Sequence, residues 1–156
     1  ILPIPFIDED SLKGILQVDT IAPILILKNL VKKKKLKQGA SVVFTNSLAG
    51  LGKVSFGNTM YGASKGAISS FVQGAAFELA SKGIRVNAVC PGMVDTNILD
   101  SGTITNKQLE KDKLNYPLKR YGKPEEVAWA MIYLLSEASA WVTGTNMVID
   151  GGYSVK

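Results

Sequence analysis

The sequence predicts an α/β fold: a parallel sheet whose strands are joined by helical crossovers. Two observations carry this. Short runs at 41–45, 84–90 and 146–150 read as strands, and the β-branched and aromatic run 41–45 has the apolar character of a buried parallel strand. Longer segments with helical spacing of apolar residues precede and separate them. The order helix, strand, helix, strand, helix, strand requires crossover connections and therefore parallel neighbours. No internal repeat and no linker-like segment interrupts residues 1–156, which are read as a single domain.

The elements follow in order. Residues 1–6 are apolar with two prolines and are expected to be irregular. Asp8, Glu9, Asp10 and Ser11 make a helix start, because acids there complement the macrodipole. Dense apolar residues over 12–36 fit a largely buried helix with a bend near Pro23. The strand 41–45 leads into a loop, 48–59, carrying Gly50, Gly52 and Gly57. The helix 60–82 is rich in Ala, Gly and Ser on one side and stops at Gly83. The strand 84–90 ends in Pro91-Gly92. Residues 93–116 are polar and mixed, with only weak helical signals. A stretch of that length is usually functional, and 97–115 is taken as the specificity element. Pro124 with Glu125 and Glu126 opens another helix, and the strand 146–150 closes at Gly151-Gly152.

Composition narrows the function classes. With 156 residues and 46% apolar content the chain has a core to bury. It contains no histidine, which removes Ser-His-Asp chemistry and most transition-metal sites, so no metal is expected. The single Cys90 has no disulfide partner, which suits a reducing, cytoplasmic setting. The most apolar run, 21–27, stops at Lys28, so no membrane span is expected. The net charge is +5, and Lys32 to Lys35 with Lys37 form a basic run. Without interleaved aromatic residues this run reads as a solvated helix end rather than a nucleic-acid surface.

The stretch 41–67, SVVFTNSLAGLGKVSFGNTMYGASKGA, carries the chemistry. Tyr61 and Lys65 lie four apart and share a helix face. A phenol is a poor acid/base at neutral pH, but a neighbouring ammonium favours its ionised form. Ser47, fourteen residues before Tyr61 at a strand end, offers a hydroxyl to the same substrate oxygen. A hydride would have to come from a cofactor.

Ser47 followed by Y-x-x-x-K at Tyr61 and Lys65 resembles the active site of the short-chain dehydrogenases/reductases. So do N-S-x-A-G at 46–50, Y-G-A-S-K-G-A at 61–67, I-R-V-N-A-V-C-P-G at 84–92, the PLxRxGxPEEVA-like run 117–128, and the ending from Val142-Thr143-Gly144 to Asp150-Gly151-Gly152. The resemblance covers nearly the whole chain and is similar to 3-oxoacyl-acyl-carrier-protein reductases and sugar or polyol dehydrogenases. It implies the C-terminal part of a Rossmann-like doubly wound parallel sheet. It also implies NAD or NADP as cofactor, a carbonyl or alcohol substrate such as a 3-oxoacyl thioester or a sugar or polyol, and catalysis by Ser47, Tyr61 and Lys65. Cofactor contacts are implied for Tyr61, Lys65, Pro91, Gly92, Val94 and Thr96. A homodimer or homotetramer through the helices 12–36 and 60–82 is implied as well.

Two departures stand out. Where the family has an asparagine in its catalytic tetrad, twenty-eight residues before the serine, this chain has Asp19. Asp19 would order a water, perturb Lys65, or occupy an ordinary helix position. The Gly-rich dinucleotide turn is not found: Gly50 and Gly52 lie in the catalytic loop, and Ser55 stands where a third glycine would be. The cofactor preference is therefore not readable. The chain is expected to be the retained part of a longer enzyme, a proteolytic fragment, or a truncated remnant that is inactive and acts only through subunit contacts.

Overall fold

The computed structural model describes residues 2–96 and 105–155. The part of the expected specificity element at 97–104 lies outside them. Three strands, β1 (Ser41–Thr45), β2 (Arg85–Pro91) and β3 (Asn146–Ile149), form one parallel sheet in the order β1-β2-β3. Val42 pairs with Val86 and Thr45 with Val89, while Ala88 pairs with Asn146. The predicted α/β class and its parallel pairing hold. Every strand runs the same way because helices return the chain between them: α3 (Thr59–Leu79) joins β1 to β2, and α4 (Asn106–Lys113) and α5 (Pro124–Leu135) lie between β2 and β3.

α3 buries Ser64, Ile68, Val72, Ala75, Ala76 and Leu79. Those positions recur at three and four residues and make one stripe, which faces Phe44, Val86 and Ala88 of the sheet. Phe71 meets Phe44 edge to face at 5.9 Å between ring centroids. A short 3-10 turn, Ala80–Lys82, ends the helix, and Gly83 closes it at φ +65°, a left-handed conformation suited to glycine.

The N-terminal helix differs from the reading of one buried helix bent at Pro23. It comprises α1 (Glu9–Leu16), a wide π turn over Gln17–Ile21, and α2 (Ala22–Lys32). Asp8 caps it by accepting from the Ser11 N–H at 2.8 Å. Proline accounts for the turn. Pro23 has no N–H for the carbonyl of Asp19 four residues back, and its ring crowds that carbonyl. The backbone widens just before it, and the Ala22 N–H donates to the Gln17 carbonyl instead. The helix is also not largely buried. Only Thr20 and Leu27 are, while Val18 and Ile26 stay 72% and 61% exposed. One packing partner, α3 with the edge of β1, covers one stripe of a helix that is apolar nearly all round. It ends at Lys32, short of residue 36, and Lys34 follows at φ +51°.

Two further expectations change. By length and composition the helical run Glu9–Lys32 is long and apolar enough to cross a membrane. Reading the run 21–27 alone did not reveal this, because the helix continues through its charged residues. In the fold this run is tied to α3: the Thr20 hydroxyl donates to the Ser64 carbonyl at 2.9 Å. Second, 93–116 is not structurally featureless. α4 forms there on a capping box in which Gln108 N–H donates to Thr105 Oγ1 and the Thr105 N–H donates to Gln108 Oε1. Its composition is too polar for periodicity to show it.

Two side chains fix α5, one at each of its ends. The Arg85 guanidinium, at the start of β2, donates to the carbonyls of Leu134 (2.9 Å) and Ser136 (3.0 Å) and to Ser139 Oγ (2.8 Å). It thereby satisfies carbonyls at the end of α5. Glu126 in the first turn of α5 takes a forked pair from Arg120 (2.7 and 2.6 Å) and the Lys123 N–H (2.7 Å). The bonds from Arg120, then the one from Lys123, hold the Glu126 carboxyl down at about 2.

Arg85→Met is expected to destabilise the chain by on the order of 3 kcal/mol, because several acceptors lose their donor at once; urea unfolding measures it, and Arg85→Lys restores little, since an ammonium cannot span the same fork. For Glu126 the folded value lies below the unfolded one. Its stabilisation is therefore complete above pH ~4.5 and is lost as pH falls toward 2. Unfolding midpoints of the wild type and Glu126→Gln are expected to converge across that interval.

Candidate active site

β1 and β2 end together, and the loops leaving them form the site. After Thr45 the Asn46 N–H donates to the Val89 carbonyl at 2.8 Å, and Ser47 follows with an extended backbone. Ser47 Oγ accepts from the Ala49 N–H at 3.2 Å, starting the 3-10 turn Leu48–Leu51. A side chain at Gly50 would put its Cβ 2.6 Å from the Lys65 carbonyl oxygen and 2.7 Å from Asn46 Oδ1. Only glycine lets the serine loop lie this close to α3.

Beneath the serine is a buried polar cluster that the sequence reading did not pick out. Asn46, 3% exposed, donates through Nδ2 to Ser69 Oγ (2.8 Å) and Asn146 Oδ1 (3.2 Å). Asn146 Nδ2 donates to the Ser69 carbonyl at 3.1 Å, so β1, α3 and β3 are cross-linked just behind Ser47. Among the described residues Asn46 Oδ1 has no hydrogen-bond partner. Cys90 lies beside this cluster; burial pushes its thiol up to about 11, so it is no nucleophile.

Tyr61 and Lys65 occupy successive turns of α3, and the Lys65 ammonium stands 5.7 Å from the Tyr61 ring centroid. It donates to the Thr45 carbonyl at 3.3 Å and pairs with Asp19 Oδ1 at 3.4 Å; the two side chains are 12% and 21% exposed. Asp19 Oδ2 in turn accepts from Ser64 Oγ at 3.2 Å. The π turn thus carries Asp19 onto α3, where it contacts the lysine directly. Of the alternatives for Asp19, the ordinary helix position does not describe what the structure shows.

Ser47 and Tyr61 both line a cavity of about 620 Å³, together with Pro91 and Gly92 from the end of β2. Asp19 and Lys65 line the neighbouring hollow of about 460 Å³, along the outer edge of β1. Lys65 lies between the two through its contact with the Tyr61 ring. Val94 is not brought to the cavity: it makes a parallel bridge to Gly122 and lines a separate recess. Thr96 is exposed. The chain leaves β2 at Gly92 and turns toward the Arg120–Glu126 loop, which draws Val94 away.

The opposite wall of the cavity is aromatic, and sequence reasoning missed it. Tyr116, Tyr121 and Tyr153 line it with Met93, Gln108, Leu109 and Asp112. Tyr116 lies 4.8 Å from Tyr153 and 5.6 Å, edge on, from Tyr121. The Met93 N–H donates to Tyr116 Oη (3.1 Å), and Tyr121 Oη donates to Asp112 Oδ2 (2.9 Å). Burial raises both phenols, and the bond to Asp112 raises Tyr121 further. These two therefore keep their protons at neutral pH. The tyrosines stand in polar surroundings with no periodicity, and nothing local in the sequence marks them as neighbours.

Comparison with known proteins identifies the family. The family model described as enoyl-(acyl carrier protein) reductase matches residues 3–154. The chain is 35% identical over 147 residues to the uncharacterized oxidoreductase YmfI of Bacillus subtilis, covering 94% of this chain and 60% of that protein. It is 37% identical over 139 residues to the human 3-oxoacyl-[acyl-carrier-protein] reductase, covering 88% and 54%. A solved structure of 4-hydroxyisoleucine dehydrogenase complexed with NADH superposes with a TM-score of 0.92 at 27% identity, over all of this chain and 64% of that one. The chain thus spans little more than half the length of the curated relatives it matches. With the family model covering nearly its whole length, the chain belongs to the short-chain dehydrogenase/reductase family.

Proposed function

We propose that this chain carries the catalytic part of an NAD(P)-dependent oxidoreductase that reduces a carbonyl or oxidises an alcohol. The observation that carries the reading is the meeting of Ser47, Tyr61, Pro91 and Gly92 on one cavity, with Lys65 against the Tyr61 ring. Tyr61 gives its proton to the substrate oxygen in reduction and takes it back in oxidation. Ser47 donates a hydrogen bond to the same oxygen. Lys65 keeps positive charge beside the ring as that proton moves. Asp19 is a positioning residue: it and the Thr45 carbonyl hold the ammonium in place.

The residues present fit the nicotinamide end of the cofactor. An ammonium carries three N–H groups. Two oxygen partners engage Lys65 among the described residues, Asp19 Oδ1 and the Thr45 carbonyl, so one N–H is left for a sugar hydroxyl. When bound, the nicotinamide supplies the hydride. Tyr61, Lys65, Pro91 and Gly92 would hold it, with Val94 and Thr96 further along the same connection. No Gly-rich dinucleotide turn occurs among the described residues, and the cofactor is NAD or NADP.

We place the substrate among 3-oxoacyl thioesters and sugars or polyols. The human relative's name supports the first, and the cavity volume suits a small molecule. The free, buried Cys90 supports a cytoplasmic setting. The exposed apolar residues Val18, Ile21, Leu25 and Ile26 on α1–α2 and Phe77 on α3 support assembly with further copies through these helices. That same exposure favours a second reading, an inactive remnant that acts only through such contacts.

Titration with NADH or NADPH separates the two: saturable binding is expected, and its absence favours the remnant. Tyr61→Phe is expected to lower turnover by roughly 10²- to 10⁴-fold while saturable cofactor binding survives. Unaltered turnover would remove Tyr61 from its role.

A further inference from the structure

The cavity beside Ser47 and Tyr61 has two unlike walls. One is the tyrosine wall. Tyr116 and Tyr121 have their hydroxyls engaged, with the Met93 N–H and with Asp112 respectively. Both residues line the cavity. The other wall is the loop that follows the serine: Lys53, Ser55 and Asn58, with Ser47 and Tyr61 below them.

Among the described residues two charged side chains line this cavity, and they are not equivalent. Asp112 is occupied: Oδ2 accepts from Tyr121 Oη at 2.9 Å and Oδ1 accepts from Asn115 Nδ2 at 3.1 Å. Lys53 is exposed, and among the described residues no carboxylate lies within ion-pair distance of it. Its backbone is anchored, since the Lys53 N–H donates to the Leu48 carbonyl at 3.1 Å next to the left-handed Gly52. The loop therefore puts on the cavity lining an ammonium that has no counter-ion among the described residues, in the same cavity as the tyrosine rings.

We propose that the site takes an oxo acid whose apolar body lies on the tyrosine wall and whose carboxylate faces Lys53. This rests on the proposed function for the location of the reacting carbonyl, and it goes beyond the thioesters and sugars named there to carbonyl compounds bearing a carboxylate. Lys53 is the specificity-determining residue. It touches the carboxylate and takes no part in proton transfer.

Binding of matched probes, measured by saturation-transfer NMR and tyrosine fluorescence without nicotinamide cofactor, tests this independently of turnover. The probes are benzoylformate, its uncharged methyl ester, and pyruvate, which lacks the ring. Benzoylformate is expected to bind about three- to fivefold more tightly than the ester, the range of an exposed ion pair, with the difference shrinking as salt is raised. Pyruvate is expected to bind about tenfold more weakly than benzoylformate. Lys53→Gln should abolish the acid–ester difference and Lys53→Arg should keep it; circular dichroism checks that both variants fold. Equal affinity for acid and ester, a Lys53→Gln chain that still prefers the acid, or no saturable binding of benzoylformate overturns the proposal. Each of these outcomes leaves the Tyr61 test of the oxidoreductase reading standing on its own.

Discussion

The site depends first on the parallel pairing of β1 with β2. Thr45 lies opposite Val89, so the strands end at the same edge of the sheet and release Ser47 and Pro91-Gly92 side by side. In an antiparallel pair these two segments would leave from opposite ends. The pairing needs a crossover, and α3 is that crossover. The element that makes the sheet parallel is thus the element that carries Tyr61 and Lys65, and its N-terminal turns lie above the strand ends where parallel α/β sheets bind ligands. The Asn46–Ser69–Asn146 cluster then ties the end of β1 and the start of β3 to the helix. Buried polar groups bonded to one another in this way are costly to separate, so the relation of Ser47 to α3 is stiff.

A second layer acts through Pro23. The proline denies Asp19's carbonyl a donor, the helix widens into a π turn, and the turn brings Asp19 and Thr20 onto α3. A side chain distant in sequence from Lys65 thereby becomes its counter-ion. At 3.4 Å and partly buried, the pair is screened less than a surface ion pair. Its main consequence is geometric: the lysine is held between the Thr45 carbonyl and Asp19, which fixes where its charge lies relative to the Tyr61 ring.

The apolar surface left on α1–α2 has the same origin as the site. α3 and the edge of β1 can cover only one stripe of a helix that is hydrophobic on nearly every side. Trp129, Ile132 and Trp141 make a comparable exposed set around α5 and the turn that follows it. Patches of this kind mark association surfaces. They flank the sheet on both sides, whereas the cavity opens at the ends of its strands.

The sequence by itself determined the class of fold and the central chemistry. Strand runs such as 41–45 show their character in composition alone. Tyr61 and Lys65 share a helix face by local geometry, and Ser47 is placed by the strand end before it. The helix boundaries were less legible, because dense apolar residues over 12–36 do not say which face finds a partner. Only the tertiary structure decided the rest. It brought Asp19 to Lys65, cross-linked Asn46 with Asn146, drew Val94 toward Gly122, and gathered Tyr116, Tyr121 and Tyr153 opposite Lys53. The physical reason is common to all four. Each relation joins elements distant in sequence through packing and hydrogen bonds, and periodicity and spacing report only on neighbours along the chain.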